Sequence, residues 1–347
     1  MEIKKFSDIN LGDSFFDSLK EDYSGFDSWF NKKSSDGSEA YVEYDDQHRL
    51  LDFLYLKIEK GVVEDVDPKL DTAKRLKVGT FKIMARGTHR GERFIKKIMD
   101  MAMMENVDEI YVTIFPKHNF LITLFTQYGF VEKAVKHNDN GDEKVLVKDM
   151  RIKSDDIIKD YPRVDRSTNK YVLSIYPKYH TRLFPDSILN NEKEYDLIKD
   201  VSPTNSIYKI YVCFIPKAGI LLKKGDLVLI HRTTDGNGPA YYRSVVSAVC
   251  TVEEIKRRDN FANESDFINY CRTYSIFSEA ELKKYYKDNR MIVIKMIYNF
   301  ALPKRVNNAA MQSAGIHPQY WGFFQITDDQ FDQLMNLGGV NENYIID

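Results

Sequence analysis

The chain has 347 residues with 50 Lys and Arg against 52 Asp and Glu, a formal net charge of -2; 29% of its residues are charged and 43% hydrophobic. That length suggests two domains with sizeable cores, and the balanced charge excludes a globally basic nucleic-acid binder while leaving room for a local patch. There is no run of the roughly 20 apolar residues a membrane helix needs and no signal-peptide pattern at the start. Cys213, Cys250 and Cys271 are too few and scattered for a disulfide framework or zinc site, so a reducing cytoplasm is the expected compartment.

In chain order, Asp13 to Leu19 and Phe26 to Phe30 read as two short helices, with Trp29 and Phe30 as core anchors. Ala40 to Tyr44 and Leu51 to Glu59 alternate as a strand hairpin around Asp45 to Arg49. The apolar positions Leu76, Val78, Phe81, Ile83 and Ala85 form a strand that stops at Arg86-Gly87-Thr88-His89-Arg90-Gly91. From Glu92 onward Phe94, Ile95, Ile98, Met99, Ala102 and Met103 recur at helical spacing, so a helix begins at this basic turn. Unpaired amides and the positive end of the dipole make such a helix start a place for an anion, and Gly91 would let the backbone come close. A solvated basic helix face is the other reading of the same residues. Glu109 to Phe115 is a strand, Leu121 to Phe125 a short helix closed near Gly129, and Val131 to Val135 with Lys144 to Lys148 a hairpin that ends a first domain near Met150.

This order of elements resembles the GNAT superfamily of acetyl-CoA-dependent acetyltransferases. Arg86 and Gly91 match the ends of that family's pyrophosphate loop, His89 stands where its first glycine falls, Ala102 matches a small residue packed under the sheet, and Gly129-Phe130 matches the closing pair. The resemblance implies an α+β domain over residues 1–150, a mixed central sheet flanked by helices, that binds acetyl-CoA. Its phosphates would lie on the amides of His89, Arg90, Gly91, Glu92 and Arg93, with Arg86, Arg90 and Arg93 adding charge, and its pantetheine arm along Lys82, Ile83 and Met84. Counting back from Gly129 puts Phe125 at the position of the family's acid tyrosine and His118 at that of its asparagine. A phenylalanine cannot donate a proton, so Tyr128 or His118 is the expected substitute.

Residues 151–200 are charged and irregular, with prolines at 162, 177 and 185, and read as a connector. The second domain, 201–347, is strand-rich: Ile207 to Phe214, Leu227 to Ile230, Tyr241 to Val252 and Met291 to Phe300, with helices at Glu264 to Arg272 and Glu279 to Tyr286. Through Lys224 to Ile230 and Trp321 to Ile326 it resembles the PUA-like group, which includes ASCH and EVE domains. That resemblance implies a small β-barrel and binding of RNA or modified nucleic acid, for which Lys223, Lys224, Arg232 and Arg243, interleaved with Tyr208, Tyr211, Tyr241 and Tyr242, are the candidate contacts. The expected function is N-acetyl transfer to an acceptor linked to nucleic acid, such as aminoacylated tRNA, or to a protein amine. The alternatives are a catalytically silent reader of RNA or modified nucleic acid, and a small-molecule amine acetyltransferase. Neither membrane association nor an oligomeric state is indicated.

Overall fold

The structure, a computed structural model, describes residues 2–84, 90–187 and 206–347, with the backbone alone for Arg90 and Asp186. It divides into two units, Met1–Ser154 and Asp155–Asp347.

The first unit runs β1 (Glu2–Lys5), α1 (Asp17–Asp22), α2 (Phe26–Ser35), β2 (Glu39–Tyr44), β3 (Leu50–Val63), β4 (Leu70–Ile83), α3 (Arg90–Met104), β5 (Glu109–Ile114), α4 (Asn119–Gln127), β6 (Val131–Asn138) and β7 (Gly141–Asp149). Its seven strands follow the order β1-β2-β3-β4-β5-β7-β6. All neighbours are antiparallel except β4 and β5. A parallel pair needs a crossover, and α3 supplies it. The amphipathic spacing of α3 is realised in packing: Phe94, Ile95, Ile98, Met99 and Ala102 are buried. A ring cluster of Phe6, Phe16, Phe26, Phe30 and Phe53 joins the N-terminal helices to β2 and β3, with Trp29 packed against it. Helix α1 starts later than the sequence suggested, because Asp13 caps a short 3-10 turn, Ser14–Phe16, that precedes it.

Arg75 on β4 is buried with its donors engaged: Nε meets Glu109 Oε2 at 2.6 Å, Nη1 the Gly61 carbonyl at 2.9 Å and Nη2 the Asp71 carbonyl at 2.6 Å. Removing one member of a buried pair strands the other charge. Arg75→Met is therefore expected to cost about 3 kcal/mol. The urea midpoint followed by Trp29, in a chain carrying Trp321→Phe, checks it.

The second unit runs β8 (Val164–Asp165), β9 (Lys170–Ile175), α5 (Pro177–Leu183), β10 (Tyr208–Cys213), α6 (Pro216–Leu221), β11 (Leu227–Arg232), α7 (Ala240–Arg243), β12 (Val245–Arg257), α8 (Glu264–Arg272), α9 (Glu279–Tyr286), β13 (Ile292–Asn307), α10 (Asn308–Ser313), β14 (Phe323–Ile326), α11 (Asp328–Leu337) and β15 (Ile345–Ile346). Six strands pair in the order β10-β13-β12-β11-β9-β14, and β8 pairs with β15. Register shifts interrupt the long β12–β13 ladder, and such irregularities bend a sheet. The stretch expected as a connector supplies β9, a strand between β11 and β14. Alternation explains its place: Tyr171, Leu173 and Ile175 join one core with Val228 and Ile230, while Val172 joins the opposite core with Leu227 and Leu229. A strand buried on both faces reads as a plain apolar run, without the polar alternation that marks an exposed sheet. A second difference is that Tyr241 to Arg243, expected within a strand, lie in the single turn of α7. Among the described residues no helix is long and apolar enough to cross a membrane.

Candidate active site

Strands β4 and β5 pair only from Arg75–Glu109 to Val78–Val112. On the other side of β4 the register steps from Leu56–Val78 to Tyr55–Thr80, so Gly79 is an extra residue without a partner. A bulge of this kind bends its strand and increases the twist. Glycine is required here because a Cβ would lie 2.7 Å from Cδ1 of the Tyr55 ring. Past the bulge, Thr80 to Ile83 stay with β3, while Thr113 and Ile114 stay with β7. Among the described residues no strand pairs with the other edge of Thr80 to Ile83. The two strands thus part at their C-terminal ends, and the β4 wall of the resulting cleft carries backbone donors and acceptors outside any ladder.

Helix α1 bridges the mouth of this cleft. At its start, Lys82 Nζ from β4 donates to the Phe15 carbonyl and, at 2.6 Å, to Ser18 Oγ. Burial holds the Lys82 ammonium below the ordinary lysine range, against the pull of Asp17, Asp22 and Glu21. At its end, Asp22 Oδ2 lies 2.8 Å from His118 Nε2 at the start of α4, and Asp22 also pairs with Lys117. Burial raises the Asp22 pKa, but the hydrogen bonds from Lys117 and His118 outweigh it and leave the carboxyl below its usual range. The His118 side chain is 40% exposed and the Asp22 side chain only 11%, so the carboxylate sits behind an accessible imidazole. The next residue, Tyr23, donates its hydroxyl to Glu143 Oε1 at 2.7 Å and packs its ring against Phe115, tilted by 37° with centroids 5.0 Å apart. One short helix therefore ties β4 to the far side of the cleft, where α4 begins and β7 begins.

His118, the position that counting from Gly129 singled out, lies beside α1 through its contact with Asp22. Tyr128 is 1% exposed, its ring placed in the core where the chain leaves α4, and its carbonyl accepts from Lys148 Nζ at 2.9 Å. Phe125 is fully buried against Phe81 and Phe130, a packing role consistent with its lack of a proton. Lys82 and Ile83 are half-buried and Met84 is exposed, all at the end of the β4 wall. Arg86 and His89 lie outside the described residues, as does the side chain of Arg90. Gly91 is buried, and a Cβ there would meet Leu124 Cδ2 at 2.9 Å, so this glycine lets α3 approach α4 closely. Glu92 opens the first turn of α3, where an acidic side chain suits the dipole. Arg93, expected at phosphate, is instead committed to Glu43 at 3.0 Å with both side chains nearly buried, because it faces β2 across the helix.

The four cations expected to contact nucleic acid do not form one patch. Lys223 and Lys224 are exposed in the turn before β11. Arg232 ends that strand, about 17 Å further at the usual rise per residue, and is 3% exposed. Arg243 is held by Asp235, with Nε to Oδ1 at 2.7 Å and Nη2 to Oδ2 at 2.5 Å. Tyr208 and Tyr211 are core residues, leaving Tyr241 and Tyr242 as the exposed aromatics of the set.

No protein-family model and no curated protein matches the chain. Among solved structures, ASCH from Zymomonas mobilis is similar over 48% of this chain and 94% of its own, at 10% identity and a TM-score of 0.31. The NatC complex bound to Gag peptide and CoA is similar over 42% of this chain and 98% of its own, at 16% identity and a TM-score of 0.28. A chimera of the spermidine N-acetyltransferase SpeG from Vibrio cholerae covers 42% and 94%, at 17% identity and a TM-score of 0.31. Both kinds of domain named from the sequence, ASCH and N-acetyltransferase, thus occur among these structures. Likenesses at this level assign neither a reaction nor an acceptor, which rest on the cleft itself.

Proposed function

We propose that the first unit transfers an acetyl group from acetyl-CoA to an amine. The observation that carries this reading is the parting of β4 and β5 at the Gly79 bulge, which leaves a strand edge without a partner strand among the described residues, at the end of β4 from which the chain goes on to α3. An extended amide-bearing arm can pair with that edge at Lys82 to Met84, as a strand would. A phosphate group at the same end of the sheet would meet the first amides of α3. Acetyl-CoA combines both features and supplies an activated thioester.

His118 is the accessible titratable group at the mouth, and Asp22 holds its ring. An imidazole can both accept and donate a proton. In this reading His118 takes a proton from the attacking nitrogen as the C–N bond forms and gives it to sulfur as the C–S bond breaks. Positioning of the two reactants in the cleft supplies the larger share of the rate.

Calorimetric titration with acetyl-CoA tests the reading before any acceptor is known. Binding in the micromolar range is expected for the native chain. Gly79→Val, which forces a side chain against Tyr55 and reshapes the bulge, should weaken it by about tenfold, equivalent to about 1.4 kcal/mol. No detectable binding at millimolar ligand would remove the proposal. Of the residues named for nucleic acid, Lys223, Lys224, Tyr241 and Tyr242 remain exposed, and a nucleic-acid-linked acceptor is the less favoured choice beside a protein or small-molecule amine.

A further inference from the structure

Resting on that reading, we infer that Tyr23 and Glu143 form the relay that deprotonates the acceptor, and that the acceptor is a primary amine arriving in its ammonium form. Glu143 is 3% exposed, yet each of its hydrogen bonds comes from a neutral donor: Tyr23 Oη at 2.7 Å and Thr113 Oγ1 at 3.2 Å on Oε1, and Asn138 Nδ2 at 3.0 Å on Oε2. Among the described residues no lysine, arginine or histidine pairs with it. A buried carboxylate is ordinarily matched by a cation, and one that is not favours a positive charge nearby.

Tyr23 links the two places: its hydroxyl bonds Glu143, and the residue before it, Asp22, holds His118 at the mouth of the cleft. It is half-buried, its ring fixed on Phe115 just past the end of β5, and its neighbours in sequence are anchored on both sides: Asp22 to His118, and Ser24 N and Oγ to Asn140 Oδ1 at 3.1 and 3.0 Å. Its hydroxyl gives its only proton to Glu143, so the oxygen lone pairs are what it offers to an incoming N–H. Burial and the Glu143 charge raise the Tyr23 pKa, which keeps the hydroxyl protonated between turnovers.

The proton steps balance. The ammonium gives an N–H proton to Tyr23 Oη while the Tyr23 O–H proton passes to Glu143, leaving a neutral amine, an intact tyrosine and a carboxylic acid. The amine lone pair forms the C–N bond to the thioester carbonyl carbon, the C–S bond breaks, and a second N–H proton reaches sulfur through His118. Glu143 then returns its proton to water. Asp22 and Tyr23, adjacent at the end of α1, thus place two separate proton carriers at one mouth.

The test uses the full chain and two probe acceptors, phenethylamine, protonated at pH 7, and aniline, neutral at pH 7. Tyr23→Phe is expected to lower kcat with phenethylamine by about a hundredfold at pH 7. It should leave the rate with aniline, the KM for acetyl-CoA and the calorimetric acetyl-CoA affinity unchanged, and the phenethylamine defect should close as pH rises through that amine's own pKa. An equal loss with both amines would mean a structural role and would overturn the relay, as would failure of the native chain to acetylate either amine from bound acetyl-CoA. Absence of acetyl-CoA binding would instead remove the reading beneath it. Independently of activity, the Tyr23 hydroxyl resonance, identified by its loss in Tyr23→Phe, should move upfield in Glu143→Gln; an unmoved resonance overturns the pairing.

Discussion

Acidification from pH 7 to pH 4 is expected to unfold the second unit. His180 is fully buried, and burial first, then the charges of Arg232, Arg305 and His231, push its pKa down to about 3. Burial pushes His231 down to about 4, with its hydrogen bond to Asn308 opposing. In the unfolded chain both rings titrate near 6.5. Between that value and about 4 the unfolded state holds more protons than the folded one, so stability is fully present above pH 6.5 and falls as pH falls. Each histidine contributes a slope of about 1.4 kcal/mol per pH unit, so the pair removes on the order of 6 kcal/mol by pH 4. That is a large part of a typical domain's 5–15 kcal/mol. In the first unit the shifted carboxyls of Asp22, Glu59, Asp65 and Asp149 lie below their usual range, so their contribution is lost only below about pH 4. Each unit has one tryptophan, Trp29 and Trp321, and Trp321 lies 5.6 Å from the His231 ring. Fluorescence of a Trp29→Phe chain should therefore show the second unit unfolding between pH 6 and 4, with the midpoint moved to lower pH in His180→Gln. An unchanged Trp321 signal down to pH 4 would refute it.

The parts of the fold that were legible in the sequence are those whose pattern repeats locally. The β4–α3–β5 unit follows from period-two and period-3.6 runs interrupted by glycines, and its two strands and helix lie where that spacing put them. β9 was hidden because Tyr171, Val172, Leu173 and Ile175 are buried on both faces amid prolines and charges, so no alternation set them apart from a loop. Arg93 and Arg232 were misleading in the opposite sense. A basic residue in a list of basic residues suggests solvent and anions, whereas one is paired with Glu43 and the other is enclosed at the end of β11.

The site divides along the same line. His118 is a position that counting from Gly129 singles out in the sequence alone. Asp22, Tyr23 and Glu143 are not singled out, since Tyr23 and Glu143 are 120 positions apart and Asp22 and His118 are 96 apart. In sequence Glu143 is one charge in a hairpin of alternating charges, and it is the fold that brings it, opposite Lys136 of β6, to the Tyr23 hydroxyl. Phe125 carries one signal: under the proposed transfer, a proton carrier missing from that position has to come from elsewhere in the chain, and α1, with Asp22 and Tyr23 at its end, is an element that reaches the cleft.

Replacing the imidazole at that mouth is expected to have the largest catalytic effect in the first unit. Positioned proton transfer is worth about 10²- to 10⁴-fold, so His118→Ala should lower kcat within that range while leaving acetyl-CoA binding intact, because His118 lies beside α1 and away from the amides that open α3. Asp22→Asn should produce a smaller loss. It keeps a hydrogen-bonding partner for the ring but removes the negative charge beside it, so the step in which the ring takes a proton from nitrogen should slow. It also frees Lys117, whose ammonium then stands unopposed beside His118. The two substitutions act through one ring, so their effects should fail to add: Asp22→Asn in a His118→Ala background should change kcat little. Steady-state transfer from acetyl-CoA to phenethylamine, read as free thiol, gives the four rates. Additive losses would mean that Asp22 acts on its own, through α1 rather than through His118, and the pair would then be a structural tie between α1 and α4.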